Sequence, residues 1–99
     1  MNLERSVRDP DGRLVVFDAG ADLHLSLWHP ELADHIDAIL GVVGNPDHRV
    51  DDPRSGRERF YRRDLDTRRW LRVVVDFNDV PAWIVTAMVD DTPPPGCPP

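Results

Sequence analysis

The 99-residue sequence has no lysine and only one cysteine, and it has no long apolar run. The single cysteine, Cys97, excludes an internal disulfide framework and a cysteine-based zinc site, which fits a reducing compartment. No apolar stretch approaches the roughly 20 residues that span a bilayer. The charged amino terminus lacks the apolar segment of a secretory signal. We therefore expect a cytoplasmic protein with no membrane partner.

Motifs for nucleotide and zinc chemistry are also absent. There is no Walker loop, no G-x-G-x-x-G, no G-x-S-x-G and no H-E-x-x-H. The histidines lack the close spacing that builds a preformed metal site; they are His24, His29, His35 and His48. We expect no metal and no cofactor.

The charge of the chain is acidic in total but unevenly distributed. The formal net charge is −6, and all 12 basic residues are arginine. An acidic total argues against a protein that coats nucleic acid. Residues 49 to 72, however, contain nine arginines and five acidic residues, which is a local net charge of +4. A composition bias would account for the totals, whereas the clustering predicts one basic surface on an acidic body.

One long helix is predicted over residues 29 to 43. Pro30 suits the first helical position, which places His29 at the N-cap. An apolar stripe with helical spacing follows, comprising Leu32, Ile36, Ile39, Leu40 and Val43. Gly44-Asn45-Pro46 is a stop signal. The stripe indicates that this helix packs on a sheet.

The remaining pattern predicts one α+β domain over 13 to 90, with one main helix on an antiparallel sheet in the order β-β-α-β-β-β. Residues 1 to 12 are expected to form a flexible lead-in, and 91 to 99 a proline-rich disordered tail. The expected strands are 13 to 18, 23 to 28, 57 to 63, 69 to 77 and 82 to 89. The expected core comprises Leu32, Ile36, Leu40, Val73, Val75 and Trp83.

The sequence also predicts features of two segments that connect secondary-structure elements. The polar segment 45 to 56 is a candidate mobile loop, with a short extended piece near 48 to 50. In the last hairpin, a three-residue turn over 78 to 80 pairs Arg72 with Thr86, whereas a two-residue turn pairs Leu71 with Thr86. We favour the longer turn because it gives Thr86 a polar neighbour.

Several side chains are candidates for a site, each with a structural alternative. Arg59, Tyr61 and Arg63 share one strand face and could clamp a phosphate and stack a base, or form a solvated face. His29 at a helix N-terminus could be a neutral base beside an anion, or an ordinary cap. Thr86 either faces a site or hydrogen-bonds a neighbouring strand.

The order of several short motifs resembles that of small bacterial and phage proteins grouped with the barnase, EndoU, colicin and RelE-like nucleases. The resemblance covers about residues 23 to 90. Its motifs are His29-Pro30-Glu31-Leu32, Asn45-Pro46-Asp47, Asp52-Pro53-Arg54, Phe60-Tyr61-Arg62-Arg63, the run 70 to 75, and Ile84-Val85-Thr86-Ala87. Each motif is short, so their order and spacing carry the resemblance.

This resemblance implies a metal-independent RNA endonuclease, in which the 2′-hydroxyl attacks its own phosphate and no cofactor is needed. Such a ribonuclease would be a toxin of a toxin and antitoxin pair or a phage effector, with RNA as substrate and an antitoxin or immunity protein as partner. His29 would act as general base or acid, Arg59 and Arg63 would stabilise phosphate charge, Tyr61 would stack or orient a base, and Thr86 would position a phosphate oxygen.

Three departures leave an alternative open. Trp28 stands where such proteins often have arginine, Asp76 ends a strand often finished by a basic residue, and the proline tail replaces the usual extension. Each removes basic or site character. The alternative is an inactive relative or a noncatalytic protein-interaction module.

Overall fold

The computed structural model describes residues 5–32, 34–64 and 67–96, and it confirms the α+β class. Within these ranges, six strands form one mixed sheet in the order β1-β2-β6-β5-β4-β3. The elements are β1 (Arg5–Arg8), β2 (Leu14–Phe17), α1 (Ala19–Trp28), a short 3-10 helix (Pro30–Leu32), α2 (Ile36–Gly44), β3 (His48–Asp51), β4 (Arg57–Arg63), β5 (Trp70–Asp76) and β6 (Ala82–Asp90). In the described ranges, neither α-helix is long and apolar enough to cross a membrane.

The predicted strand over 23 to 28 is wrong, because these residues belong to helix α1. Asp18 caps this helix and accepts a hydrogen bond from the Ala21 backbone N–H at 2.9 Å. Ala21 and Leu25, four residues apart, are buried on the core side. The alternating leucines that suggested a strand therefore divide between the core and solvent, and Leu27 is 67% exposed.

The predicted helix over 29 to 43 is interrupted, and His29 does not begin it. The His29 backbone N–H donates to the Leu25 carbonyl at 2.8 Å, so His29 closes α1 at its carboxyl end. The 3-10 helix follows, and α2 starts only at Ile36. The predicted apolar stripe is nevertheless the packing face, since Ile39, Leu40 and Val43 are buried.

Both predicted termini contain ordered structure. In the expected flexible lead-in, β1 pairs with β2 as an antiparallel hairpin. Gly12 adopts a φ of 82° in the hairpin turn, which favours glycine. At the other end, Pro94 is fully buried, so part of the predicted disordered tail is packed. Residues 97 to 99, including Cys97, lie outside the described residues.

The strands predicted over 57 to 63, 69 to 77 and 82 to 89 are β4, β5 and β6, and they pair antiparallel in that order as expected. The sheet is nevertheless mixed, because β2 pairs with β6 in parallel. The short extended piece predicted near 48 to 50 is β3, which pairs with β4. Val73 and Val75 are buried in one core cluster with Leu32 and Leu40, and Ile36 packs partly buried against it. Trp83, which is also half-buried, is the exception among the predicted core residues, because it is not among the residues that form this cluster or pack against it.

The register of the last hairpin differs from both expected pairings. Residues 77 to 81 connect β5 to β6, and a β-bulge shifts the register between Val74 and Val75. Thr86 therefore pairs with Val74, and Arg72 pairs with Met88. Because alternate residues of a strand share a face, Thr86 still lies on the face of Arg72. The predicted face was right and the predicted partner was wrong.

Hydrogen bonds hold the loop between β3 and β4 against the loop between β5 and β6. The Asn78 side chain donates to the Ser55 carbonyl at 3.1 Å and to Asp76 Oδ1 at 2.8 Å. Gly56 adopts a φ of 80°, and a Cβ there would collide with the Asn78 side chain. Part of the predicted mobile loop is thus anchored to the meander.

An ionic cluster around the buried Asp9 joins the β1–β2 turn to the hairpin of β3 and β4. The Asp9 side chain is 0% exposed and lies 2.7 Å from Arg13 Nη2. Arg13 Nη2 also lies 2.8 Å from Glu58 Oε2 on β4, and Arg49 on β3 lies 3.1 Å from Glu58 Oε1. Arg49 also pairs with Asp11 at 2.8 Å. The cluster thereby connects the β1–β2 turn with β3 and β4 through side chains.

We expect Asp9→Asn to lower the free energy of unfolding by about 2 kcal/mol, because the asparagine carries no charge and loses the oxygen that accepts a hydrogen bond from Arg13 Nε. Urea denaturation followed by tryptophan fluorescence measures this change. Asp11→Asn, at the exposed rim of the same cluster, is the matched control and should have a clearly smaller effect. If Asp9→Asn and Asp11→Asn lowered the free energy of unfolding equally, Asp9 would not be the central residue of the cluster.

Asp76 should make stability depend on pH below about 4. The hydrogen bond from the Asn78 backbone N–H lowers the pKa of Asp76, and Arg57 lowers it further against the opposing effect of burial. A carboxyl whose pKa is lowered by folding stabilises the protein above its unfolded pKa, and this contribution is lost as pH falls through the folded pKa.

Asp76→Asn should therefore cost about 2 kcal/mol at pH 7. The difference from the parent protein should shrink as pH falls below about 4. Urea denaturation at a series of pH values measures it, with the exposed Asp79→Asn in the same connection as control. A difference that stays constant down to pH 2 would argue against this role of the carboxylate.

Candidate functional site

Two histidines and a threonine meet where α1 packs against β6. His24 Nε2 lies 3.0 Å from Thr86 Oγ1, within hydrogen-bond distance. The imidazole centroids of His24 and His29 are 6.2 Å apart, with the rings tilted by 49°. We call His24, His29 and Thr86 the histidine cluster. It brings together two of the five site residues predicted from the sequence, His29 and Thr86.

The position of His24 follows from how α1 is held. Because Leu25 is fully buried, its neighbour His24 lies on the flank of the helix rather than on its buried or its outer side. In the described residues, β2 pairs with β6 only at Ala82 and Trp83. From Ile84 onward that side of β6 has no strand partner there, and α1, which follows β2 directly, packs against β6. His24 can therefore reach the hydroxyl of Thr86.

The position of His29 reverses the electrostatic argument made from the sequence. At the carboxyl end of α1 the helix dipole is negative, so free N–H groups do not attract a phosphate there. The neighbouring charge is instead Glu31, whose Oε1 lies 3.7 Å from His29 Nδ1. A carboxylate beside one ring nitrogen orients an imidazole and leaves Nε2 for other partners.

Arg59 and Tyr61 do not join the histidine cluster. Arg59 on β4 pairs with Val74 on β5, and Val74 pairs with Thr86 on β6. Two strand spacings therefore separate the Cα atoms of Arg59 and Thr86, a distance of about 10 Å. Arg59 Nε donates to Asp52 Oδ1 at 2.7 Å, and this bond raises the pKa of Arg59. The guanidinium is therefore already neutralised by a carboxylate.

Tyr61 cannot stack on a base, because its ring is enclosed by the protein. The residue is 2% exposed, and its ring packs edge-on against Trp70 with centroids 6.4 Å apart. Arg63 also packs on Trp70, with its guanidinium carbon 5.7 Å from the ring centroid. The predicted face of Arg59, Tyr61 and Arg63 is thus a packed aromatic and ionic layer.

His24 is the residue that the sequence reasoning missed. In the predicted strand, His24 faced solvent, and no partner was evident. The available signal was Asp18, an N-cap residue three positions before Ala21, since its carboxylate can satisfy a free N–H of the first turn. With residues 19 to 28 helical, His24 and His29 fall near the same end of the helix.

The two imidazoles of the histidine cluster can each accept or donate a proton. In the described part of the chain, no three histidine, cysteine or acidic side chains are grouped so that they could hold a metal ion. Two proton-transfer groups that serve one phosphate must each come within about 3 Å of their own oxygen. Imidazoles separated by 6.2 Å are compatible with that requirement.

Comparison with known proteins found no matching family model, no matching curated protein and no matching solved structure. The function proposed for this chain therefore depends on the chemistry of its own side chains and on the resemblance in motif order.

Thr86→Val should release His24 from its hydrogen bond with little change in side-chain volume. We expect a loss of about 1 kcal/mol in the free energy of unfolding. The nitrogen-15 shifts of the His24 ring in a long-range NMR spectrum should change as well. The exposed Thr92→Val is the control. Unchanged His24 ring shifts in Thr86→Val would show that the hydrogen bond does not form in solution.

Proposed function

We propose that this protein is a metal-independent RNA endonuclease whose reaction is carried out by the histidine cluster. The observation that supports this most directly is the pairing of His24 with His29 beside the hydroxyl of Thr86. RNA supplies its own nucleophile, so an acid, a base and a hydrogen-bonding group are sufficient. The resemblance in motif order, which includes His29 and Thr86, supports the same reaction.

In the proposed reaction the ribose 2′-oxygen attacks the adjacent phosphorus. His24 accepts the 2′-hydroxyl proton, and His29 donates a proton to the departing 5′-oxygen. The bond between phosphorus and the 5′-oxygen breaks, which leaves a 2′,3′-cyclic phosphate and a 5′-hydroxyl. Charge is conserved, because one imidazole gains a proton and the other loses one.

The partners of the two imidazoles motivate this division of roles. If His24 Nε2–H donates to Thr86 Oγ1, His24 Nδ1 is left with a free lone pair and can act as the base. Glu31 Oε1 lies 3.7 Å from His29 Nδ1, which assigns Nε2 as the nitrogen that donates to the leaving oxygen. Thr86 is in this proposal a positioning residue for His24.

The resemblance to these nucleases also supports a proposal for the biological role of the protein. A small cytoplasmic ribonuclease of this kind would act as a toxin or a phage effector and would be held inactive by an antitoxin or immunity protein. The partner would need to cover the histidine cluster or the exposed side of α1.

Cleavage of a single-stranded RNA oligonucleotide tests the reaction. His24→Ala and His29→Ala should each lower the rate by about 10²-fold to 10⁴-fold, the usual contribution of a general acid or base. An oligonucleotide with 2′-deoxy substitutions should not be cleaved. His48→Gln is the matched control, since His48 lies on β3, with β4 and β5 between it and β6. Cleavage that survives the 2′-deoxy substitution would contradict the mechanism.

A substrate with sulfur in place of the bridging 5′-oxygen separates the acid from the base, because a thiolate leaves without being protonated. This substrate should restore the rate of His29→Ala and should not restore that of His24→Ala. Rescue of His24→Ala alone would reverse the two roles. Rescue of neither would remove His29 as the acid.

One observation favours a second candidate, a noncatalytic protein-interaction module. Leu23, Leu27 and Trp28 on α1 are 60%, 67% and 69% exposed, an unusual concentration of apolar surface on one short helix. This candidate predicts no cleavage of any RNA at any pH. It also predicts that Leu27→Ser weakens binding to a protein partner without altering the fold.

A further inference from the structure

A cavity lies between α2 and the ends of β4, β5 and β6, separate from the histidine cluster. Its volume is about 570 Å³, within the range of sites for small molecules. Much of the described lining is apolar, and it includes Leu32, Val42, Leu71 and Val89. Such a wall can accept a planar ring.

Two guanidinium groups at this cavity have no acidic partner among the described residues. In the described residues, no carboxylate oxygen lies within 4.0 Å of Arg62 or Arg63. The third arginine of the lining, Arg69, is paired with Asp91 at 2.6 Å. Unpaired guanidiniums are unexpected in a chain with a net charge of −6, and their planar forks match phosphate oxygens.

Three acidic residues also line the described part of the cavity wall: Glu31, Asp37 and Asp64. Glu31 Oε1 lies 3.7 Å from His29 Nδ1, and Asp37 pairs with Arg5. Asp64 has an interaction of its own. In the part of the chain that the structure describes, none of these carboxylates lies within 4.0 Å of Arg62 or Arg63, so both guanidiniums can approach a ligand.

Small residues on α2 leave the space open. Ala38 and Gly41 are three positions apart on α2, and both line the cavity. A Cβ built on Gly41 would lie 3.8 Å from Arg62 Nη1, an ordinary contact distance. Gly41 has no positive φ, so a larger side chain can be placed there without backbone strain and would project toward Arg62.

We propose that this cavity binds one nucleoside monophosphate, with its phosphate on Arg62 and Arg63 and its base against the apolar wall of Leu32 and Leu71. Nucleobases stack readily on apolar and guanidinium surfaces, and arginine binds phosphate through two parallel hydrogen bonds. The nucleotide can be a free molecule or one unit of an RNA strand. The inference uses neither His24 nor His29, so it does not depend on the cleavage reaction.

NMR titration of the full chain with each of the four ribonucleoside 5′-monophosphates tests the site. Saturable shifts are expected at the backbone amides of Ala38, Gly41, Arg62 and Leu71. Affinity should be at least tenfold higher than for inorganic phosphate or for the nucleoside alone, since each of these fills half of the cavity.

The double variant Arg62→Gln with Arg63→Gln should lower the affinity at least tenfold. Arg54→Gln is the matched control, because Arg54 also lacks a carboxylate within 4.0 Å in the described residues but lies in the loop between β3 and β4. Gly41→Leu should abolish binding by filling the cavity while thermal melting shows the protein folded. Binding that is indifferent to these variants would place the ligand elsewhere and overturn the proposal.

A 2′-deoxy-substituted RNA oligonucleotide distinguishes the two sources of the nucleotide. Competition by the oligonucleotide for the mononucleotide shifts identifies a strand unit, and binding of the mononucleotide alone identifies a free ligand; either result supports the site. No binding of any nucleotide or oligonucleotide overturns it. His24→Ala should bind the mononucleotide as the parent does, so failure of the nuclease leaves this result unchanged.

Discussion

The buried carboxylate of Asp9 is the constraint on which the arrangement of the sheet depends. A charge fully removed from water is tolerated only where opposite charges and hydrogen bonds replace the water, and Arg13 supplies both. The Arg13 guanidinium also lies 3.6 Å from the ring centroid of Phe77, at the start of the last connection. The turn between β1 and β2 is thereby fixed against β4 and against the β5–β6 loop. The place of β2, and of the helix that follows it, is set from that point.

The histidine cluster is a consequence of this placement. Since β2 ends at Phe17 after pairing with only two residues of β6, α1 continues along the unpaired part of that strand. The bulge in β6 then presents Thr86 on the face opposite the apolar core, at the level of His24. A longer β2 would cover this side of β6 and separate the two side chains. The candidate site therefore depends on the shortness of β2 and on the extra residue of the bulge in β6.

The arginine-rich run between 49 and 72 does not make a uniformly basic surface. Its arginines are largely paired with aspartates from other parts of the chain, as in Arg49 with Asp11, Arg57 with Asp76 and Arg72 with Asp90. In the described residues, ion pairs thus cancel the charge of five of the nine arginines in this run. Arg54, Arg62, Arg63 and Arg68 have no carboxylate within 4.0 Å there, and of these four Arg62 and Arg63 line one cavity. The electrostatic character of this protein is consequently a property of single sites.

The amino-acid pattern predicts the α+β class, the strands β4 to β6 and the apolar stripe that α2 buries, because strands and helices of sufficient length have distinct hydrophobic periods. The pattern does not distinguish strand from helix at residues 23 to 28, since three alternating leucines in six residues fit both until the Asp18 cap and the burial of Leu25 are known. The contact of Thr86 with His24 and the enclosure of Tyr61 are seen only in the folded structure. Pairing register, bulges and ion-pair partners join residues far apart in the chain, and local patterns carry no information about which distant residue will be the partner.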